Sequence, residues 1–356
     1  MSDSAKQEGQ NSVSAWVDLA SPSHPFFFAS LLEEIPEIDA TTTVRQKTET
    51  VDLADELDLD ARVLGRDFDN TLLRKFGIPL RTAQLCVQAP RADVSLSSRN
   101  AMCILASKVR RIPSIHFTDN DITAYVDGLK VEELYNRFEA KATYNVVPEA
   151  FRIEELTRWG ADPAQIITYG GYKEDIYIAN FEPDEAFTEK LPFDEYVVVR
   201  PEALDAAYVD ADRSLVPDLL EQFVSEEMNV VYLPRGRGDE AFANPYDEDR
   251  VYVPDRALNG LDLSWHSNGV LTGSGTMARE AACMEIPAVS FFPDSLLSVD
   301  RQMVTDGMVH HSRDATDIVD YITSRTRSQR NPDLSRSKDV LNELSDIVRE
   351  LLHHEI

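Results

Sequence analysis

Lysine is scarce in this chain. Only nine of its 35 basic residues are Lys, the rest are Arg, and 63 acidic residues leave a net charge of −28. The acidic residues are spread along the whole length, so no positive field is available for a phosphate backbone. Sequence-independent nucleic-acid binding is therefore not expected. Cysteine is nearly missing as well. Cys86, Cys103 and Cys283 are scattered and form no Cys-x-x-Cys pair. No disulfide framework or zinc site follows, a reducing cytoplasm fits, and the three thiols are expected to pack as small apolar groups. No apolar run approaches the ~18 residues of a spanning helix, so membrane contact is expected to be peripheral at most. Residues 1–12 lack the apolar stretch of a signal peptide and read as a disordered tail. Gly-x-Ser-x-Gly, a Cys/His pair and His-Glu-x-x-His are all missing, so neither a hydrolase triad nor a zinc protease is indicated.

What remains is a globular chain of 356 residues, 43% hydrophobic, with a pI near 4.5. That length supplies two ordinary cores. A dispersed acidic surface poor in Lys resembles those of proteins from salt-loving archaea, where molar salt screens the repulsion within a few ångströms. The expectation is a halophilic, cytoplasmic protein.

Apolar segments alternate with helical patterns at a period of about 25–30 residues, the rhythm of a doubly wound parallel α/β sheet. In the first half, strands are predicted at 14–20, 41–46, 61–65 and 92–98, a strand plus loop over 113–121, a strand then loop over 143–151, and a closing strand segment at 165–171. Helices are predicted at 26–35, 51–59, 100–110 and 152–160, and at 72–89 with an interruption around Gly77 and Pro79. A polar stretch with two prolines, 181–195, reads as a linker. The second half opens on YVVVR (196–200) and continues through a helix at 216–228, strands at 229–235 and 251–255, and amphipathic helices at 315–328 and 337–354. The domains are placed at 13–180 and 195–330, with 333–354 as a terminal helix. Two such halves leave a cleft at the strands' carboxyl ends.

The most informative segment is GVLTGSGTMAREAACMEIPAVSFFP (269–293). It reads as strand, small-residue turn, helix, Pro stop and second strand. A helix N-terminus behind such a turn offers free N–H groups and the positive end of the helix dipole to an anion. Gly273 and Gly275 let a phosphate approach the backbone, and Glu280, one turn on, can reach a ribose diol. Small residues at these turns also serve packing alone, and GSGT is neither Gly-x-Gly-x-x-Gly nor a Lys-bearing phosphate loop.

Other polar residues gather after the predicted strands. Asp18, read as a substrate-binding residue, Ser21 and His24 follow the first; Asp67, Asp69 and Asn70 follow ARVLG. Ser97, Ser98 and Arg99 follow ADVSL, while His116, Asp119 and Asp121 end PSIHF. Asp67, Asp69, Ser97 and Ser98 are read as helix N-caps, and His116 equally as a core histidine. His24, Asp119 and Asp121 are candidate bases for a sugar hydroxyl. Two carboxylates alone are a weak metal signal, so no metal is assigned. Arg200 and Arg235, each closing a strand segment, suit a diphosphate. HSRD (311–314) and HHEI (353–356) read as solvated ends without chemistry.

Taken together, WVDLASPSHPFFF, IPSIHFTDND, GGYKEDIYIANFEPD, VVVRPEALDAAY, VVYLPR and GSGTMAREAACMEIPAVSFFPD resemble an archaeal and bacterial domain-of-unknown-function family over roughly residues 14–325. That family is similar to the non-hydrolysing UDP-N-acetylglucosamine 2-epimerases and to GT-B glycosyltransferases. The resemblance implies a GT-B-like fold: two Rossmann-like domains facing a central cleft, with a last helix crossing back. It implies a diphosphate turn at Ser274, Gly275 and Thr276, a ribose partner at Glu280, a basic residue at Arg200, and a substrate donor, UDP-linked, with no separate cofactor. Thr276 replaces the second Gly of the epimerase turn. The epimerase His-x-Glu-Ala-Gly motif is not reproduced: Thr118 stands where its Glu would fall, with Asp119 one residue on. The family opening carries a second His where Phe26 stands. The implied activity is a nucleotide-sugar-dependent glycosyltransferase acting on a glycan or lipid-linked acceptor, with a 2-epimerase or a non-catalytic binding protein as alternatives.

Overall fold

A computed structural model describes residues 12–46, 48–66, 71–202, 213–236, 238–325 and 333–354. Positions 1–11 of the expected tail, 67–70 with Asp67, Asp69 and Asn70, and 355–356 lie outside the described residues.

Seven strands form the first sheet: β1 (Val13–Leu19), β2 (Ile38–Gln46), β3 (Arg62–Arg66), β4 (Val94–Ser98), β5 (Ser114–Phe117), β6 (Tyr144–Pro148) and β7 (Ile166–Tyr169). Six form the second: β8 (Val197–Arg200), β9 (Val230–Tyr232), β10 (Val251–Tyr252), β11 (Gly269–Thr272), β12 (Ala288–Ser290) and β13 (Val309–His311). The orders are β3-β2-β1-β4-β5-β6-β7 and β10-β9-β8-β11-β12-β13, and the strand pairs are parallel. Both are doubly wound sheets, so the chain reverses direction between β1 and β4 and between β8 and β11, where such sheets leave a crevice for ligands. Central strands are continuous apolar runs because helices cover both faces. Val197, Val198 and Val199, with Val270 and Leu271, are fully buried.

One hydrophobic cluster runs through both halves, joining Phe27, Phe28 and Phe117 to Ile176, Met277, Ala281 and Leu344. The helix Ser335–His354 returns to the first sheet's helices. Its Arg349 pairs with Glu37 at 3.0 Å, Ser337 donates to Asp175 at 2.7 Å, and Glu343 accepts the Gly170 N–H at 3.1 Å. No described helix is long and apolar enough to cross a membrane.

Several expectations are corrected. The helix Thr71–Gln88 runs unbroken through Pro79. The stretch 181–195, read as a linker, runs between the first half's last helix and β8 and is packed down. Phe187 is buried and stacks on His266 with ring centres 6.0 Å apart, and the Asp184 N–H donates to Asp262 at 2.8 Å. Helices Lys130–Glu139, Lys173–Ile178, Gly260–His266 and Ser298–Thr305 were not expected. For Lys130–Glu139 the reason is plain: its buried side chains are Asn136 and Glu139, so it carries no apolar stripe to detect. HSRD is not a solvated end. His311 lies in β13, and Arg313 forms an ion pair at 2.5 Å with the buried Glu202.

Candidate functional site

The second switch point carries the glycine-rich turn. Arg200 and Thr272 are register partners on β8 and β11, and the Gly273 N–H donates to the Arg200 carbonyl at 3.1 Å. Gly273 is required by packing. A Cβ there would stand 2.4 Å from Glu202 Cγ and 2.7 Å from its backbone N. Ser274 is the N-cap of helix Gly275–Cys283, but its side chain makes no capping bond, so the helix start is left open to the cleft. The turn Gly273–Thr276 lines a cavity of about 300 Å³, together with Asn120 and Ile122 from the first half and Arg235 and Arg279 from the second. Arg235 is steered by its Nε bond to the Pro201 carbonyl at 2.8 Å. Arg200 is partly buried, and its Nε has no hydrogen-bond partner. A helix start, two guanidinium groups and a cavity of this size suit an anionic, phosphate-bearing ligand.

Beside the turn, Asp119, Lys173 and Glu174, polar residues that the sequence places at strand ends, gather around Arg279, which the sequence did not announce. Arg279 is only 5% exposed and binds three carboxylates from three elements. Its Nε meets Glu174 at 2.9 Å, Nη1 meets Asp300 at 3.0 Å, and Nη2 meets Asp119 at 3.3 Å. Lys173 Nζ stands 3.7 Å from the same Asp119 oxygen. Burial would raise the Asp119 pKa, but Lys173, Arg279 and Arg99 outweigh it and hold the carboxyl below its ordinary range. Glu174 moves the other way, raised by burial in spite of Arg279. Two carboxyls pushed apart in this way can divide the roles of base and acid. No spacing rule reveals Arg279. It reads as a surface helix residue until the two sheets face each other.

Three expected site residues take other roles. His24 begins helix Ser23–Glu34 and is buried, and its Nδ1 accepts the Ala20 N–H at 3.1 Å. With that lone pair used, Nε2 carries the ring hydrogen. In this arrangement His24 offers a hydrogen-bond donor at Nε2. Burial, with the nearby Lys173 and His116, lowers its pKa to about 3, so it stays neutral; Asp119 opposes this only partly. Asp121 is fully buried and accepts backbone N–H groups of Arg152 at 3.1 Å and Ser298 at 3.0 Å. It ties the two halves together. Asp18 is also fully buried, held by Arg81 at 2.8 Å, Thr43 at 2.6 Å and Asn100 at 2.7 Å, a structural network behind the cleft.

Ser97 and Ser98 are not N-caps. Asn100 caps helix Ala101–Arg110 by accepting the Cys103 N–H at 3.2 Å, while Ser97 pairs with His116 at 3.1 Å. His116 is buried, and its Nε2 stands 3.7 Å from Glu139 without a hydrogen bond. Arg99 sits in the left-handed region at φ 43°, a strained backbone that aims its guanidinium at Glu139, Asn136 and Glu132.

Glu280 does not line the cavity. Its Oε1 accepts from the Tyr177 hydroxyl at 2.8 Å, across to the first half. Burial raises its pKa to about 7; the Tyr177 bond, Lys173 and Arg279 lower it, and Glu174 adds to the rise.

Residues 13–353 match the family described as protein of unknown function (DUF354). The chain belongs to that family. An uncharacterized protein of Methanocaldococcus jannaschii is 23% identical over 325 residues, covering 87% of this chain and 91% of its own. Among solved structures, the UDP-N-acetylglucosamine 2-epimerase of Rickettsia bellii aligns with a TM-score of 0.71 at 12% identity, covering 96% of this chain and 97% of its own. The Neisseria meningitidis UDP-GlcNAc 2-epimerase bound to UDP-GlcNAc gives 0.67 at 12% identity, covering 95% and 99%. The glycotransferase of kitacinnamycin gives 0.55 at 14% identity, covering 96% and 99%. The family member thus has the GT-B-like fold of these enzymes.

Proposed function

We propose that this protein binds a nucleoside-diphosphate sugar in the cleft and transfers the sugar to an acceptor hydroxyl of a glycan or lipid-linked substrate. The observation that carries this is the uncapped start of helix Gly275–Cys283, opening into a cavity that both halves line. Gly275 and Thr276 N–H groups would meet the diphosphate, with Arg235 and Arg200 neutralising charge that grows as the nucleotide leaves. Asp119, held ionised, would accept the proton of the acceptor hydroxyl. His24 would donate from Nε2 to a sugar oxygen.

A second reading, epimerisation of a UDP-sugar, is favoured by one observation: Asp119 and Glu174 lie on one guanidinium with opposed proton affinities, as an acid/base pair requires. The likeness in fold to 2-epimerases agrees with it.

The test is a thermal-shift screen in high salt against UDP, GDP, dTDP and CMP sugars. A ligand at 100 times its dissociation constant adds about 2.7 kcal/mol, a visible shift. Thr276→Glu is the control, because a carboxylate in the first turn suits the helix dipole yet repels a phosphate. A shift that Thr276→Glu abolishes supports the reading, and no shift with any nucleotide overturns it. Nucleotide release that requires an acceptor then marks a transferase; interconversion of sugars without one marks an epimerase.

A further inference from the structure

We propose that Arg279 receives the diphosphate of the nucleotide sugar, and that Asp300 holds the place of that anion on the guanidinium until the substrate displaces it. The inference rests on the nucleotide-sugar reading above.

Arg279 lies one turn after Gly275 on the same helix. A Cβ at Gly275 would stand 3.0 Å from Arg279 Nη1 and 3.4 Å from Asp300 Oδ1. The guanidinium and its Asp300 partner therefore lie against the turn, and both line the cavity. The other two nitrogens are committed deeper in the protein. Glu174 and Asp119 show side-chain exposures of 1% and 8%, against 14% for Asp300. Asp300 is thus the most accessible of the three carboxylates and the one bound to the nitrogen nearest the turn.

The nitrogen nearest the turn is already occupied. Arg279 Nη1 carries Asp300 at 3.0 Å, so a diphosphate reaching that nitrogen meets a carboxylate of like charge in its place. Carboxylate and phosphate oxygens make the same forked hydrogen bonds to a guanidinium, so one can replace the other on Nη1 without rebuilding the site. Asp300 belongs to the short helix Ser298–Thr305, which is held at its first N–H by Asp121 and by the 2.6 Å contact of Ser298 with the Tyr125 hydroxyl. A small rotation of that helix would withdraw Asp300. The consequence is selectivity: a ligand must bring enough negative charge to outcompete a carboxylate already in place, which favours a diphosphate over a single phosphate.

Isothermal titration of UDP and of inorganic pyrophosphate into the full chain, in high salt, tests this. Asp300→Asn removes the competing charge and is expected to tighten both ligands about five- to tenfold. Asp300→Glu keeps the charge and is expected to stay within about twofold of wild type. Arg279→Lys loses the fork and is expected to weaken both by about tenfold or more. Unchanged or weaker binding in Asp300→Asn overturns the proposal whether or not Arg279→Lys folds, as does unchanged binding in a folded Arg279→Lys. Pyrophosphate separates this inference from the reading beneath it. Pyrophosphate binding that responds to Asp300→Asn, with no binding of any nucleotide sugar, leaves the exchange of Asp300 for a diphosphate on Arg279 standing and removes the nucleotide-sugar function. Nucleotide-sugar binding that ignores Asp300→Asn does the reverse. No binding of either anion by wild type or Asp300→Asn overturns both.

Discussion

Replacing Glu280 with Gln will stabilise this protein at alkaline pH and change little near pH 4.5. In the folded protein burial raises the Glu280 pKa from 4.5 to about 7. Between those two values the unfolded chain releases a proton that the folded chain keeps. Folding stability therefore falls as pH rises from 4.5 to about 7, and the cost is fully present above 7. Moving the midpoint from 4.5 to about 7 corresponds to a ceiling of about 3 kcal/mol, at about 1.4 kcal/mol per pH unit. Glu280 is partly buried rather than sealed, so about 2 kcal/mol is the expected gain in the variant. Gln keeps the shape and still accepts from the Tyr177 hydroxyl, so the comparison isolates the charge. The assay is urea unfolding of both proteins at pH 4.5 and pH 8.5 in the same high salt. A gain of about 2 kcal/mol at pH 8.5, with under about 0.5 kcal/mol at pH 4.5, is expected. Equal stabilities at both pH values, or a loss at pH 8.5, would refute the reasoning. A loss would mean that Lys173 and Arg279 stabilise the carboxylate by more than burial penalises it.

Gly273→Ala forces a methyl against Glu202, with backbone atoms at 2.6 and 2.7 Å, and is expected to cost about 1–3 kcal/mol in urea unfolding. Asp18→Ala leaves the buried Arg81 without its carboxylate and is expected to cost about 3–5 kcal/mol or to prevent soluble expression, whereas Asp93→Ala at the exposed start of the same sheet is expected to cost under about 1 kcal/mol. Lowering salt below about 1 M is expected to reduce the melting temperature, because a net charge of −28 is then less screened; a melting temperature that holds or rises would remove the halophilic expectation.

The sequence by itself determined the alternation of buried strands and covering helices, and with it two doubly wound sheets. Apolar runs such as Val197–Val199 have no other stable use than a sheet covered on both faces. It also located the turn Gly273–Thr276, because missing side chains before a helix are a local signal. It did not locate Lys130–Glu139, whose inward face is Asn and Glu, nor tell Asp18 and Asp121 from carboxylates that face a substrate. A carboxylate after a strand looks the same in sequence whether it faces a substrate, a buried Arg81 or the N–H of a residue 177 positions away. Only the tertiary structure decides that, because partners are set by which strand ends meet. The same reason hides Arg279. Its meaning comes from Asp119 and Glu174, more than a hundred residues earlier, and from the closing of one sheet upon the other.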